Sequence, residues 1–182
     1  MSRWSEFYRP RLGPEYLAYV KQRYAPFIDI VLSHIRPGDG VGEAGAGMGT
    51  ITRALLDFGS RGDHVCLELD GDMLELADYQ VGLRSGMWQL DIREQLPRVF
   101  DVIHGHGVLE HFSDCDIRKI IHTHRESGAR AAIHYVPGEK YVTPSFGDER
   151  LMSVDAWREI AAPDEVVTFN DGFDYALIWR FQ

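Results

Sequence analysis

The segment Glu43–Thr50, which reads EAGAGMGT, decides the fold of this chain. It joins a short predicted strand over Gly40–Ala44 to a predicted helix over Thr50–Phe58. Glycines at such a junction can form a plain turn, but they also let the backbone come close to a ligand that a Cβ atom would push away. Open α/β sheets bind ligands in a crevice at the carboxyl ends of their strands, where this segment lies. The segment therefore predicts a ligand-binding loop in an α/β domain.

Outward from this loop, predicted strands and helices alternate along the chain. This alternation predicts a parallel sheet covered by helices on both faces. Two final predicted strands flank the turn signal Asn170–Gly172, which is too short for a crossover, so this pair must be antiparallel. We therefore predict a doubly wound, seven-stranded, mainly parallel α/β sheet with an antiparallel C-terminal hairpin strand. The further predicted strands are His64–Leu69, Met87–Asp91, Phe100–His104, Arg130–Val136, Glu165–Phe169 and Asp174–Phe181, and the further helices are Asp72–Val81, Asp114–Glu126 and Val154–Ala161.

Length and composition limit the function classes. A chain of 182 residues is predicted to be a single domain over 1–182. The net charge of -9 disfavours a broad nucleic-acid surface, because phosphate contacts depend on clustered Lys and Arg. Cys66 and Cys115 are too few for a disulfide framework or a four-cysteine zinc site. Since neither a signal peptide nor a long apolar run is visible, we expect a cytoplasmic protein without a membrane partner.

Acidic residues end the second and third predicted strands. Glu68 lies 19 residues beyond Gly49, where an acid can accept hydrogen bonds from both hydroxyls of a ribose. Asp91 with its apolar neighbour Ile92 suits the amine and ring of an adenine. A dinucleotide fingerprint would need glycine where Thr50 stands, and the lysine of a phosphate-binding P-loop is absent. The pattern therefore predicts an adenosine pocket for a ligand without a pyrophosphate.

Four segments together resemble the class I S-adenosylmethionine-dependent methyltransferases. Glu43–Gly49 is similar to motif I of that family, Glu68–Ala77 to its second motif, and Gln89–Ile92 to its adenine-contacting motif. Phe100–His111 resembles the fourth-strand segment of the small-molecule branch that includes the ubiquinone-biosynthesis methyltransferases. The resemblance covers roughly residues 36–136 and implies a Rossmann-like fold with S-adenosylmethionine as the cofactor.

The resemblance also implies roles for individual residues. Glu68 would hold the ribose hydroxyls, and Asp91 with Ile92 would hold the adenine. The chain departs from the family at Gly42, where a branched aliphatic residue is usual, and this predicts a loose or bulged first strand. The residues implied at the methionine end of the cofactor are Glu43, Gly45, Gly47 and Gly49.

Candidate groups for the chemistry follow the fourth predicted strand. His106 and His111 are the candidate general bases, because an imidazole titrates near neutral pH. The alternative is that Glu110 and His111 support the start of the next helix. A divalent metal on these two residues lacks a clear third acid, so we predict no metal site. His122 and His124 are predicted to lie on a solvated helix face.

The acceptor side is predicted to be closed by an N-terminal helical lid over residues 1–36 and by the loop after the fifth strand. The lid carries six Lys and Arg against three acids, a local +3, and its alternative is a flexible terminus. The candidate substrate-binding residues are Tyr8, Arg9, His134 and Tyr135. Tyr141 and Phe146 are predicted to pack the loop.

These observations favour a methyltransferase that acts on a small molecule. A nonenzymatic protein that binds S-adenosylmethionine or S-adenosylhomocysteine, or a scaffold with the same fold, is the alternative. Thr50 disfavours a nicotinamide oxidoreductase. The chain has no Pro-Pro pair, so it lacks the string typical of enzymes that methylate amino groups of bases, and we expect no nucleic-acid partner.

Overall fold

The computed structural model describes residues 2–142 and 148–181. Seven strands form its sheet: β1 (Gly40–Ala44), β2 (Asp63–Glu68), β3 (Gly86–Gln89), β4 (Val102–His106), β5 (Ala131–Pro137), β6 (Glu165–Phe169) and β7 (Asp174–Arg180). They lie in the order β3-β2-β1-β4-β5-β7-β6. β3, β2, β1, β4 and β5 are mutually parallel, whereas β7 runs antiparallel to both β5 and β6. The predicted fold class is confirmed.

Seven α-helices accompany the sheet in the described residues. Three come from the N-terminal segment over residues 1–36, which is predicted to be helical. The others follow the order expected from the alternation of elements. The helices are α1 (Arg3–Tyr8), α2 (Pro14–Arg23), α3 (Ala25–His34), α4 (Thr50–Asp57), α5 (Gly71–Val81), α6 (Asp114–Glu126) and α7 (Val154–Ala161).

Both faces of the sheet are buried. On one face, Phe27 and Val31 of α3 pack with Leu55 of α4 against the central strands. On the other, α6 and α7 bury Trp157 against the same strands. Because helices cover both sides, the six residues from Ala131 to Val136 in β5 are all buried, as expected for a central parallel strand.

The sheet order reverses between β1 and β4, and this reversal positions the site. From β1 the chain crosses to β2 and β3 on one side, and then returns to β4 and β5 on the other. Connections that leave neighbouring strands in opposite directions open a crevice at their carboxyl ends. The glycine-rich loop after β1 borders this crevice, and α1 and α2 lie over it.

The predicted bulge at Gly42 is wrong. β1 pairs without interruption with β2 from Gly40 opposite Asp63 to Ala44 opposite Leu67. A Cβ atom at Gly42 would lie 3.2 Å from the ring of Phe100, so this glycine makes room for a buried aromatic side chain. The Phe100 ring packs against β1 at Gly42. β4 begins two residues later than predicted, at Val102.

The predicted solvent exposure of His124 is also wrong, whereas His122 is exposed. His124 is fully buried, and its Nε2 lies 3.1 Å from Nε2 of His134 in β5. His124 is buried because α6 packs against the sheet. The spacing of the histidines along the chain does not indicate this contact. Separately, none of the helices in the described part of the chain is long and apolar enough to cross a membrane.

Candidate active site

A cavity of about 770 Å³ lies at the carboxyl ends of β1, β2, β4 and β5, beneath α1 and α2. That volume is in the range of small-molecule sites. The cavity brings together ten of the residues predicted to act in the site. They are Tyr8, Glu43, Gly45, Gly47, Glu68, Asp91, Ile92, His106, His111 and Tyr135.

The glycine-rich loop turns through left-handed backbone conformations. Gly45 has a φ of +64° and Gly47 a φ of +55°, a region in which residues with a Cβ are disfavoured. A Cβ atom on Gly45 would also lie 2.4 Å from Cγ2 of Val108, which follows β4. The loop is therefore packed directly against the turn after β4 and presents its backbone to the cavity.

We predict that Gly45→Ala lowers the free energy of unfolding by about 1–3 kcal/mol, because the new methyl group must displace Val108. Thermal unfolding followed by circular dichroism measures this loss. Gly59→Ala is the matched control, since Gly59 also has a positive φ of +89° but a Cβ atom there would have nothing within 4 Å. Equal losses in the two variants would contradict the packing argument, because both share the backbone strain.

Glu43 connects β1 to the start of α4. It is 2% exposed, and its Oε2 accepts a hydrogen bond of 3.0 Å from the backbone N–H of Thr52 in the first turn of the helix. Burial raises the pKa of the Glu43 carboxyl to about 7, while the hydrogen bonds from Thr52 oppose the rise. The carboxyl therefore fixes the position of the helix N-terminus beside the cavity.

Glu68, at the end of β2, supports the glycine-rich loop. Its Oε2 accepts a hydrogen bond of 2.8 Å from the backbone N–H of Gly47, and its Oε1 accepts one of 3.0 Å from the backbone N–H of Asp70. Burial raises the pKa of the carboxyl, while these backbone donors act in the opposite direction. The same two oxygens border the cavity and are available to further donors.

Asp91 and Ile92 follow β3 and line the same cavity. The Asp91 carboxylate accepts hydrogen bonds from the Arg93 guanidinium, with the closest contact, between Oδ2 and Nη2, at 2.6 Å. These bonds lower the pKa of the Asp91 carboxyl. Ile92 is 6% exposed and gives this end of the cavity an apolar wall. An ionised acceptor beside an apolar surface suits a heterocycle with an amino group.

His106, the last residue of β4, is enclosed by aromatic rings. Its ring stacks on Tyr135 with centroids 4.2 Å apart, and Tyr24 meets it edge-on at 4.2 Å. Burial lowers the pKa of His106 to about 3, so the imidazole is neutral at pH 7. His106 therefore contributes a neutral imidazole to the cavity lining, with a buried Nε2 that has no hydrogen-bond partner among the described residues.

His111 and Glu110 lie in the short turn after β4. The Nδ1 atom of His111 is 2.9 Å from Oδ1 of Asp148, and Trp4 of α1 meets the imidazole edge-on. A carboxylate on one ring nitrogen orients the imidazole and leaves the other free to accept a proton. Glu110 is 2% exposed, and its Oε2 has no hydrogen-bond partner among the described residues.

The structure corrects three of the predicted positions. His134 is fully buried against His124 and Trp179 on the opposite face of the sheet from its neighbour Tyr135, because successive side chains of a strand alternate. Arg9 is exposed and outside the cavity, where Arg11 takes the expected place. Gly49 does not line the cavity either, since a Cβ there would lie 2.8 Å from Val81 of α5. Phe146 lies outside the described residues.

Sequence reasoning missed a buried polar cluster beside the cavity, which we call the Asp174 cluster and of which Arg23, Tyr135 and Tyr141 line the cavity. The fully buried Asp174 carboxylate accepts hydrogen bonds from the hydroxyls of Tyr135 at 2.9 Å and Tyr141 at 2.7 Å. It also contacts the Arg23 guanidinium at 2.5 Å and the Asn170 amide at 2.6 Å. Its five members come from three separate segments, namely α2, residues 135–141 and residues 170–174, so the contacts between these segments carry no local signal.

No group of three or more His, Cys, Asp or Glu residues that could hold a metal ion occurs within residues 2–142 and 148–181.

Solved structures share this fold at low sequence identity. A protein from Pyrococcus horikoshii OT3 superposes with a TM-score of 0.75 at 14% identity, covering 97% of this chain and 99% of its own. A TehB-like S-adenosylmethionine-dependent methyltransferase from Corynebacterium glutamicum gives 0.65 at 13% identity, covering 93% and 100%. Human N-acetylserotonin methyltransferase, solved in complex with S-adenosylmethionine, gives 0.66 at 9% identity, covering 91% and 55%.

At these identities the likeness establishes the fold alone. It confirms the Rossmann-like fold that this chain shares with S-adenosylmethionine-dependent methyltransferases of class I. No protein-family model matches the sequence. No curated protein is similar to it at a significant level.

Proposed function

We propose that this protein is an S-adenosylmethionine-dependent methyltransferase that transfers a methyl group to a small-molecule acceptor. One observation carries the proposal: the glycine-rich loop, Glu68 and Asp91 line a single cavity, which residues of α1 and α2 also line. Fold alone does not determine function, so the proposal depends on this arrangement.

The residues of the cavity fit the cofactor in shape and in hydrogen bonding. Gly45 and Gly47 leave a cradle of exposed backbone for the methionine end, with Glu43 behind it. Glu68, Asp91 and Ile92 line the same cavity, where Glu68 would hold the two ribose hydroxyls and Asp91 with Ile92 would contact the adenine. When bound, S-adenosylmethionine supplies an activated methyl group on a sulfonium sulfur. The protein then has to align the acceptor and, where necessary, accept its proton.

We propose His111 and His106 as the residues that act on the acceptor. His111, oriented by Asp148, accepts the proton through its second ring nitrogen. The neutral Nε2 of His106 accepts a hydrogen bond from the acceptor and positions it. Tyr8 and Tyr135 supply aromatic surfaces to the cavity, and Arg11 replaces Arg9 as the cation that the segment after α1 contributes to it.

Calorimetric titration tests the cofactor assignment. We expect S-adenosylmethionine and S-adenosylhomocysteine to bind with dissociation constants below about 1 mM, which corresponds to a binding free energy of at least about 4 kcal/mol. NAD serves as the control and should not bind, because Thr50 stands where the dinucleotide fingerprint needs a glycine. If neither sulfur nucleoside binds, the proposal is wrong.

A second candidate function is binding of the sulfur nucleoside without methyl transfer. The observation in its favour is the burial of His106, which lowers the pKa of this imidazole to about 3 and leaves His111 as the one remaining candidate base of the two. Release of S-adenosylhomocysteine across a panel of metabolites distinguishes the candidates. Turnover with any acceptor supports the methyltransferase, whereas tight binding without turnover across the panel supports the second function.

A further inference from the structure

Glu110 is a buried carboxyl group at the cavity that neither the fold nor the proposed chemistry explains. It is 2% exposed, and its Oε2 has no hydrogen-bond partner among the described residues. A buried polar atom without a partner is unfavourable, and such atoms recur at functional sites. Since Glu110 lines the cavity, a bound ligand can supply the missing partner.

The position of Glu110 relates it to the centre of the cofactor. The turn that carries it contacts the glycine-rich loop, because Val108 fills the space where a Cβ of Gly45 would be. Within the turn, Oε1 of Glu110 lies 3.4 Å from the point that a Cβ atom of Gly107 would occupy. In S-adenosylmethionine the sulfur joins the ribose to the methionine chain, so under the proposed function it would lie between Glu68 and Gly45. Glu110 lines the same cavity as these two residues, in the turn that contacts Gly45.

Burial favours the protonated form of the Glu110 carboxyl, and a hydrogen bond from its own backbone N–H opposes this effect. Burial, first of all, and then the charges of Glu149 and Asp148 raise the pKa of the Glu110 carboxyl to about 8. The ionisable groups that face it belong to α1, to its own turn and to the loop after β5. They are Tyr8, His111, Asp148, Glu149 and Arg150, whose guanidinium contacts Asp114 and whose backbone N–H donates to the Glu110 carbonyl.

We propose that Glu110 is the counter-charge for the sulfonium, so that S-adenosylmethionine binds with loss of a proton from Glu110 and is thereby distinguished from S-adenosylhomocysteine. The inference rests on the proposed function. On binding, the carboxyl O–H bond breaks, the proton leaves to the solvent, and the carboxylate remains opposite the sulfonium. The thioether of S-adenosylhomocysteine carries no charge, so it leaves the carboxyl protonated. After methyl transfer the product accordingly loses this attraction.

The number of protons released can be calculated because binding of S-adenosylmethionine and deprotonation of Glu110 are linked equilibria. An opposite charge within about 4–6 Å lowers the pKa of a carboxyl by about 1–3. From a value of about 8 without ligand, S-adenosylmethionine should release between about 0.4 and 0.9 proton at pH 7. The affinity for S-adenosylmethionine relative to S-adenosylhomocysteine should rise by about 10- to 80-fold between pH 6 and pH 9.

Calorimetry at pH 7 in buffers of different ionisation enthalpy counts the released protons. We expect wild type to release more protons with S-adenosylmethionine than with S-adenosylhomocysteine, and Glu110→Gln to remove this Glu110-dependent release. Glu149→Gln is the matched control and should retain a release, because the charge of Glu149 raises the pKa of Glu110 but Glu149 is not the proposed source of the proton. The pH profile of the affinity ratio in wild type is a second measurement that needs no variant.

The possible results distinguish a failure of the role proposed for Glu110 from a failure of the proposed function. An unchanged proton count in Glu110→Gln, or its loss only in Glu149→Gln, overturns the role of Glu110. Binding of both nucleosides with a flat affinity ratio in wild type overturns it as well. Failure of both nucleosides to bind contradicts the proposed function and this inference with it.

Discussion

Glu68→Ala should weaken the binding of S-adenosylhomocysteine by about 10²- to 10⁴-fold. The substitution removes the acceptor for two ribose hydroxyls, and each hydrogen bond to a charged group contributes about 1.5–3 kcal/mol. It also leaves the backbone N–H groups of Gly47 and Asp70 without their acceptor, so that the glycine-rich loop loses its support. Calorimetric titration of the purified variant measures the change.

Two further variants control this result. Glu75→Ala removes an exposed acid from α5 and should leave the affinity unchanged. Glu68→Gln retains one acceptor oxygen and should fall between wild type and Glu68→Ala. Should Glu68→Ala keep the wild-type affinity while remaining folded by circular dichroism, the ribose does not lie at Glu68 and the arrangement of the cofactor has to be revised.

Asp174→Ala should lower the free energy of unfolding by about 3–5 kcal/mol. The substitution removes a fully buried acceptor, and each buried donor left without a partner costs about 1–3 kcal/mol. Here the loss leaves Arg23 without its contact at 2.5 Å and the hydroxyls of Tyr135 and Tyr141 without their acceptor. For a domain of this size the melting temperature should fall by about 10 °C, measured by calorimetry or circular dichroism.

Asp155→Ala is the matched control for Asp174→Ala. Asp155 also pairs with an arginine, Arg158 at 3.2 Å, but its side chain is 91% exposed. Exposed pairs contribute between about 0 and 1 kcal/mol, so its melting temperature should stay close to that of wild type. Similar decreases in melting temperature in the two variants would contradict the claim that burial is the reason why the Asp174 cluster stabilises the fold.

The elements of the sheet could be predicted from the sequence because their signals are local. The run from Ala131 to Val136 indicates a strand buried on both faces, and Asn170–Gly172 forces an antiparallel return. The glycine-rich loop, Glu68 and Asp91 fall at successive strand ends, and the carboxyl ends of parallel strands meet at one edge. It could therefore be predicted as well that these residues lie close together, and they line one cavity.

The sequence by itself determined the fold class and which strand ends border the cavity. Only the tertiary structure decided which side chains point into it. His134 and Tyr135 are neighbours, yet the pleat of β5 sends one into the core and the other to the cavity. The Asp174 cluster forms through contacts between residues far apart along the chain, such as Arg23 and Asp174. The lack of a hydrogen-bond partner for Oε2 of Glu110 among the described residues likewise depends on how distant segments pack around it. Hydrogen bonding and burial are properties of the folded neighbourhood, so no local pattern reveals them.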